Sequence, residues 1–136
     1  MTDQLRVLAA RWFEEVWNQR RPEMIAELMA PDCVAHLEGR EVKGPGEFLQ
    51  IYQDMLEALP DMRLTIEDVV TEGENAVVRW MCQASHRGGD LVADGGRPVQ
   101  FSGITWFKFR GEKIIEGWDR WNQAGLYFRP ENASGR

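Results

Sequence analysis

The spacing of apolar residues changes character near Pro60, and that change leaves few architectures open to the chain. Before it, apolar residues recur every three or four positions. Leu5, Leu8, Ala9, Trp12, Phe13, Val16 and Trp17 form one stripe, with Arg6, Arg11, Glu14, Glu15 and Asn18 largely opposite. This predicts a first helix capped by Asp3 and running to about Arg20, with Arg20-Arg21 suited to its carbonyl end. Pro22 fits the first position of a short second helix, Glu23 to about Met29, which Pro31-Asp32 ends. Cys33–Leu37 reads as a short strand and Glu38-Gly39-Arg40 as a turn. Gly44-Pro45-Gly46 then opens a third helix, about Gly46 to Leu59, with Phe48, Leu49, Tyr52, Met55, Leu56 and Leu59 on one face.

After Pro60 the pattern alternates. Met62–Glu72 and Ala76–His86 read as strands, the second with Val78, Trp80, Cys82, Ala84 and His86 on one face. Val99–Arg110 and Lys113–Trp121 follow, joined by a tight turn at Gly111-Glu112. Gly103 suggests a bulge or bend. Arg87–Pro98, rich in Gly and Asp, reads as a long mobile loop, and the polar stretch after Phe128 as a frayed tail. Helices followed by consecutive antiparallel strands make an α+β domain, with a cavity between sheet and helices as the usual place for a small ligand. The expected unit is a single domain over residues 1–128 with a tail at 129–136.

Charge and motifs narrow the function. A net charge of −6 argues against binding a phosphate backbone, which needs a basic stripe. The longest apolar runs are too short to cross a bilayer, and the first residues lack the pattern of a secretion signal, so a cytoplasmic protein is expected. Cys33 and Cys82 are then expected as free thiols. No phosphate-cradling glycine pattern and no Gly-x-Ser-x-Gly nucleophile turn is present. Two histidines, His36 and His86, are too few and too separated to suggest a metal site.

Asp119 is the informative residue. It shares a strand face with Ile115, Gly117 and Trp121, and a carboxylate on an apolar face is costly unless it is paired or its pKa rises. A raised pKa suits a general acid or base. The alternative is a surface or salt-bridged aspartate with Arg120 or Arg79 as partner. The turn leaves the register open. A two-residue turn pairs odd with even positions, and only an odd-with-odd pairing sets Asp119 beside Thr105 and Phe107, unless a bulge at Gly103 corrects it. Six tryptophans exceed what so small a core needs. Trp12, Phe13, Trp17, Tyr52 and Trp80 are core residues by default, with part of the set free to line a pocket. His36 and His86 read as histidines bonded to backbone, or as donors to a developing oxyanion.

The order and spacing of Phe13…Trp17-Asn18, Pro31-Asp32…His36, Val42-Lys43-Gly44-Pro45, Phe101-Ser102-Gly103 and Lys113-Ile-Ile-Glu-Gly-Trp-Asp119 resemble the SnoaL-like polyketide cyclases of the nuclear transport factor 2-like superfamily. The resemblance spans about residues 4–128. It implies a cone-shaped α+β barrel, helices packed on a curved antiparallel sheet, a deep pocket, no cofactor and a homodimer formed through the sheet. It also implies that Asp119 is the acid/base of an intramolecular aldol closure or a ketone isomerisation. Thr105 and Phe107 stand where the family carries a glutamine and a histidine, so those polar groups are missing here. His36 stands near an asparagine position, and His86 matches a histidine common in the wider group. The resulting catalytic pair is Asp119 and His86. The substrate-binding set is His36, Trp12, Trp17, Tyr52, Trp80, Thr105, Phe107 and Trp121, around a hydrophobic small molecule. The rival reading is a non-catalytic domain of the same fold that binds a small molecule or a protein. Ile104, Trp106 and Trp118 mark the expected dimer face, and the Arg87–Pro98 loop is expected to gate the pocket.

Overall fold

The structure, a computed structural model, describes residues 2–85 and 98–122. Helix α1 (Thr2–Arg11) runs on into a π-helical segment (Trp12–Asn18), then come α2 (Glu23–Leu28), β1 (Met29–Leu37), β2 (Arg40–Lys43), α3 (Gly44–Ala58), β3 (Arg63–Glu72), β4 (Asn75–Ser85), β5 (Pro98–Arg110) and β6 (Lys113–Trp121). The strands form one sheet in the order β2-β1-β6-β5-β4-β3, and the helices pack on one face of it. The α+β class expected from the change of period is the one observed. His86, residues 87–97 and the tail from 123 lie outside the described residues.

Four local expectations are corrected. The sheet is mixed, because β1 pairs parallel with β6 and antiparallel with the unforeseen edge strand β2. The β2 segment has one apolar residue, Val42, so alternation could not reveal it. Pro31-Asp32 lies inside β1 rather than in a helix stop. Pro31 has no N–H for a ladder, and the β1–β6 register shifts between Met29 and Val34. Helix α3 starts at Gly44 rather than Gly46. Gly44 has φ +77°, and a side chain there would press on the Pro31 carbonyl oxygen at 3.0 Å. Asp3 lies within the first turn of α1, which begins at Thr2, rather than capping it.

The first helix keeps its buried stripe by changing pitch. Trp12, Phe13, Val16 and Trp17 are all buried within the π-helical segment. Its five-residue hydrogen-bond spacing is seen where Gln19 N–H bonds to the Glu14 carbonyl at 2.8 Å. Arg20 then adopts φ +59°, and its guanidinium donates to the carbonyls of Trp17, Pro60 and Met62, the last two at 2.8 Å each. Asn18 pairs with the backbone of Leu64 as a strand neighbour would, donating to its carbonyl at 2.9 Å and accepting its N–H at 2.8 Å. These contacts fix the π-helical segment to edge strand β3.

The register of the last hairpin decides which way Asp119 faces. Arg110 pairs with Lys113 and Phe109 with Ile114 across a two-residue turn, with Gly111 at φ +62°. Lys108 pairs with Glu116, so Ile115 is the extra residue of a bulge. Odd positions pair with odd from there on, and Thr105 stands opposite Asp119. The bulge therefore lies in β6 and not at Gly103, where pairing to both neighbours is regular. It also puts Ile114, not Ile115, on the buried face with Gly117, Asp119 and Trp121. Gly103 is instead a point of close approach. A Cβ there would sit 2.6 Å from the Trp80 ring and 2.5 Å from the Trp121 Cβ.

Candidate active site

The helices and the inner sheet face enclose a cavity of about 740 Å³ including its open mouth. The helical side contributes Trp12, Phe13 and Trp17 from the π-helical segment and Phe48 and Met55 from α3. The sheet contributes Met29, Cys33, Ala35 and Leu37 from β1, Leu64 from β3, Trp80 from β4, Phe101, Thr105 and Phe107 from β5, and Ile114, Gly117, Trp118, Asp119 and Trp121 from β6, although the Trp118 ring stacks on His36. The wall is apolar and mostly aromatic, and Asp119 is its one carboxylate among the described residues.

Strand parity places Asp119 here, and its neighbours define its state. Burial is the main influence on the carboxyl and pushes its pKa up from the usual value to about 6. The hydrogen bond from Thr105 and the more distant positive charge of Arg120 pull the other way, and Glu38 adds slightly to the rise. Neither arginine suggested by the sequence forms an ion pair with it. Arg79 pairs with Glu67 at 2.7 Å, and Arg120 donates to the backbone carbonyls of His36 and Asp119.

The hydrogen bonds run in one direction. An indole N–H can only donate, so Trp80 Nε1 gives its hydrogen to Thr105 Oγ1 at 2.9 Å. The Thr105 hydroxyl has one hydrogen, and it goes to Asp119 Oδ1. With that hydrogen directed at Oδ1, Oδ2 is the oxygen left to gain or lose a proton. The arrangement fixes the plane of the carboxyl while leaving one oxygen for chemistry. Thr105 is the buried polar residue of the described core, at 8% exposure. At this position, where the sequence lacks the family's glutamine, a hydroxyl is turned to Asp119.

Other residues proposed from sequence divide clearly. Trp12, Trp17, Trp80, Thr105, Phe107 and Trp121 line the cavity with Asp119. Tyr52 does not. It is buried behind Trp17, with ring centroids 4.9 Å apart, and its hydroxyl donates to the Val16 carbonyl at 2.9 Å. His36 lies on the outer face of the sheet, because β1 turns Cys33, Ala35 and Leu37 inward. Its Nε2 is 2.7 Å from Glu116, its Nδ1 is 3.2 Å from Glu41, and its ring stacks on Trp118. Its place as a cavity residue is corrected accordingly. Cys33 and Cys82 are buried free thiols. Burial pushes Cys33, in the cavity wall, up to about 11 and Cys82 up to about 12, so both stay neutral. No helix among the described residues is long and apolar enough to cross a membrane.

Comparison with known proteins agrees with this architecture. The chain is similar in structure to AclR, a candidate hydroxylase from Streptomyces galilaeus, at 23% identity and a TM-score of 0.82, covering 95% of this chain and 96% of that one. It is similar to a candidate SnoaL-like polyketide cyclase from Jannaschia sp. CCS1, at 21% identity and a TM-score of 0.83, covering 93% and 90%. IdmH, a candidate polyketide cyclase from Streptomyces antibioticus, matches at 25% identity and a TM-score of 0.81, covering 90% and 94%. No curated protein matches the chain. The SnoaL-like polyketide cyclase family matches over residues 7–128, nearly the whole chain, and the protein belongs to that family.

Proposed function

We propose that the protein is an acid/base enzyme acting on a flat, apolar carbonyl compound without a cofactor, with Asp119 as the catalytic residue. One observation carries the reading. A carboxyl with its pKa near 6 faces an aromatic cavity, with one oxygen fixed by Thr105 and the other left to exchange a proton.

The chemistry follows from that placement. Oδ2 removes a proton from the carbon next to a ketone, and the electron pair of that C–H bond becomes an enolate. In an aldol closure, the enolate carbon bonds to a second carbonyl carbon of the same folded molecule, and the resulting alkoxide takes a proton back from Asp119. In an isomerisation, Asp119 returns the proton to a different carbon. The apolar wall limits water around the enolate and holds the substrate folded, so orientation supplies part of the rate. Among the residues that line the cavity, Trp12, Trp17 and Trp121 each carry a further N–H donor for the oxyanion.

The test needs no knowledge of the natural substrate. 2-Tetralone is flat and apolar, and its α-protons exchange measurably in D2O by proton NMR. The protein is expected to accelerate that exchange, and Asp119→Asn to lose roughly 10²–10⁴-fold while still folding and binding the ketone. Exchange at an unchanged rate in the variant removes Asp119 from the role. Binding without any acceleration makes the protein a small-molecule binder of the same fold.

A further inference from the structure

The aromatic rings of the cavity form a continuous belt whose two ends flank Asp119. Trp121, two residues after Asp119 on the same strand face, lies 4.8 Å from Phe101 between ring centroids. Phe101 lies 6.1 Å from Trp80, Trp80 lies 6.3 Å from Phe13, and Phe13 lies 6.0 Å from Phe107. Phe107 pairs across the strands with Gly117, two residues before Asp119. Gly117 leaves the space beside the carboxyl open. A methyl group there would meet its nearest neighbour, the Trp106 carbonyl oxygen, only at 3.7 Å.

The charges of this site are all of one kind. Among the described residues no lysine, arginine or histidine lines the cavity. The belt supplies aromatic rings around the carboxylate and no positive charge that would offset it. A neutral ketone leaves that carboxylate uncompensated. A lipophilic ammonium ion fits both features at once, since its positive head group is attracted to aromatic faces and to a carboxylate, most strongly out of water.

We propose that the cavity binds lipophilic tertiary or quaternary ammonium ions, with the head group inside the belt against Asp119 and the apolar remainder toward Trp12 and Phe48. The proposal uses the cavity of the acid/base reading but not the reaction assigned to Asp119. Its pH dependence comes from that residue. Arg120 and Glu38 act on the carboxyl from a distance, and Cys33 in the β1 wall stays a neutral thiol. The described cavity residues of α3, the π-helical segment, β3, β4 and β5 carry no ionisable side chain.

The experiment compares phenyltrimethylammonium with its uncharged isostere, tert-butylbenzene, by calorimetry and tryptophan fluorescence on the full chain. At pH 7.5 the cation is expected to bind at least about tenfold more tightly. Its affinity should fall about tenfold between pH 7.5 and pH 5 as the carboxyl is protonated, while the isostere is unaffected. In Asp119→Asn, the preference for the cation and its pH dependence should both vanish, with tert-butylbenzene still bound. Equal affinity for the two probes, or a flat pH profile for the cation, overturns the proposal. Binding of the isostere alone also overturns it but leaves the acid/base reading intact. Failure of both probes to bind folded protein removes the proposal and the cavity on which the acid/base reading depends.

Discussion

Asp119 sits where its charge is disfavoured, so folding and chemistry make opposite demands on it. Its pKa is about 6 in the folded protein, above the 3.8 of an unperturbed aspartate, so the folded state holds the proton more tightly. Stability should therefore fall as pH rises from about 4 to about 6, by roughly 3 kcal/mol for a shift of this size. Asp119→Asn cannot ionise. At pH 7.5 it should melt at a higher temperature than the parent, with the advantage gone at pH 4, as read by thermal unfolding at both values. Thr105→Val removes the hydrogen bond that favours the charged form, so the carboxyl should titrate higher still. Thr105→Ser should restore it, and carboxyl carbon NMR reads the titration directly. The lone carboxylate was legible in the sequence, because an aspartate among Gly117 and Trp121 stands out by type alone. Its partner was not. Joining Thr105 to Asp119 requires the cross-strand register, which the turn left open and the bulge at Ile115 decides. His36 failed for a similar reason: its strand was visible, but the direction its side chain faces was not.

Helix and strand were told apart correctly by period, and the finer devices that shape them were not visible. An α-helix and a π-helical segment bury nearly the same stripe over two turns, so nothing in the residue pattern marked Trp12–Asn18 as wider in pitch. What ends it depends on distant backbone carbonyls. Arg20→Ala removes a donor to the carbonyls of Pro60 and Met62 as well as Trp17, and should cost about 2–3 kcal/mol in urea unfolding. Arg20→Gly should cost less, because glycine relieves the positive φ. Gly103 was noticed in the sequence as unusual, but its reason lies on the neighbouring strands. Gly103→Ala would force its methyl against the Trp80 ring, the Arg120 carbonyl and Trp121, all within 2.6 Å of the position a Cβ would take. A loss of about 1–3 kcal/mol is expected. Displacing Trp80 would also loosen the bond that orients Thr105, so ligand affinity should drop in the folded fraction.

Across the whole molecule, the outer sheet face has its own organisation. Val70, Val77, Trp106, Trp118, His36 and Glu41 occupy successive paired positions from β3 to β2, one rung crossing all six strands. Trp106 and Trp118 lie 5.2 Å apart, and Trp118 stacks on His36 at 5.4 Å. Val70, Ile104 and Trp106 are each more than two-fifths exposed. A contiguous apolar face of this kind favours burial against another surface. The expected occupant is a second copy of the chain, which would meet the same rung turned by half a rotation. Sedimentation at micromolar concentration should give a dimer, and Trp106→Glu should give a folded monomer. A monomer from the parent protein would exclude this use of the face. The apolar residues here were legible from sequence, but their alignment into one rung appears only once five registers are known.

The extra residue at Ile115 sets the reading frame of the strand that follows it. Every position beyond it owes its side of the sheet to that single insertion. Were Ile115 to pair regularly with Lys108 instead of bulging, the strand would slip by one, and Asp119 and Trp121 would pass to the outer surface while Trp118 and Arg120 swung into the cavity. A slip of one residue, which alters no side chain, would thus leave the aromatic chamber without its acid and bring an arginine into it.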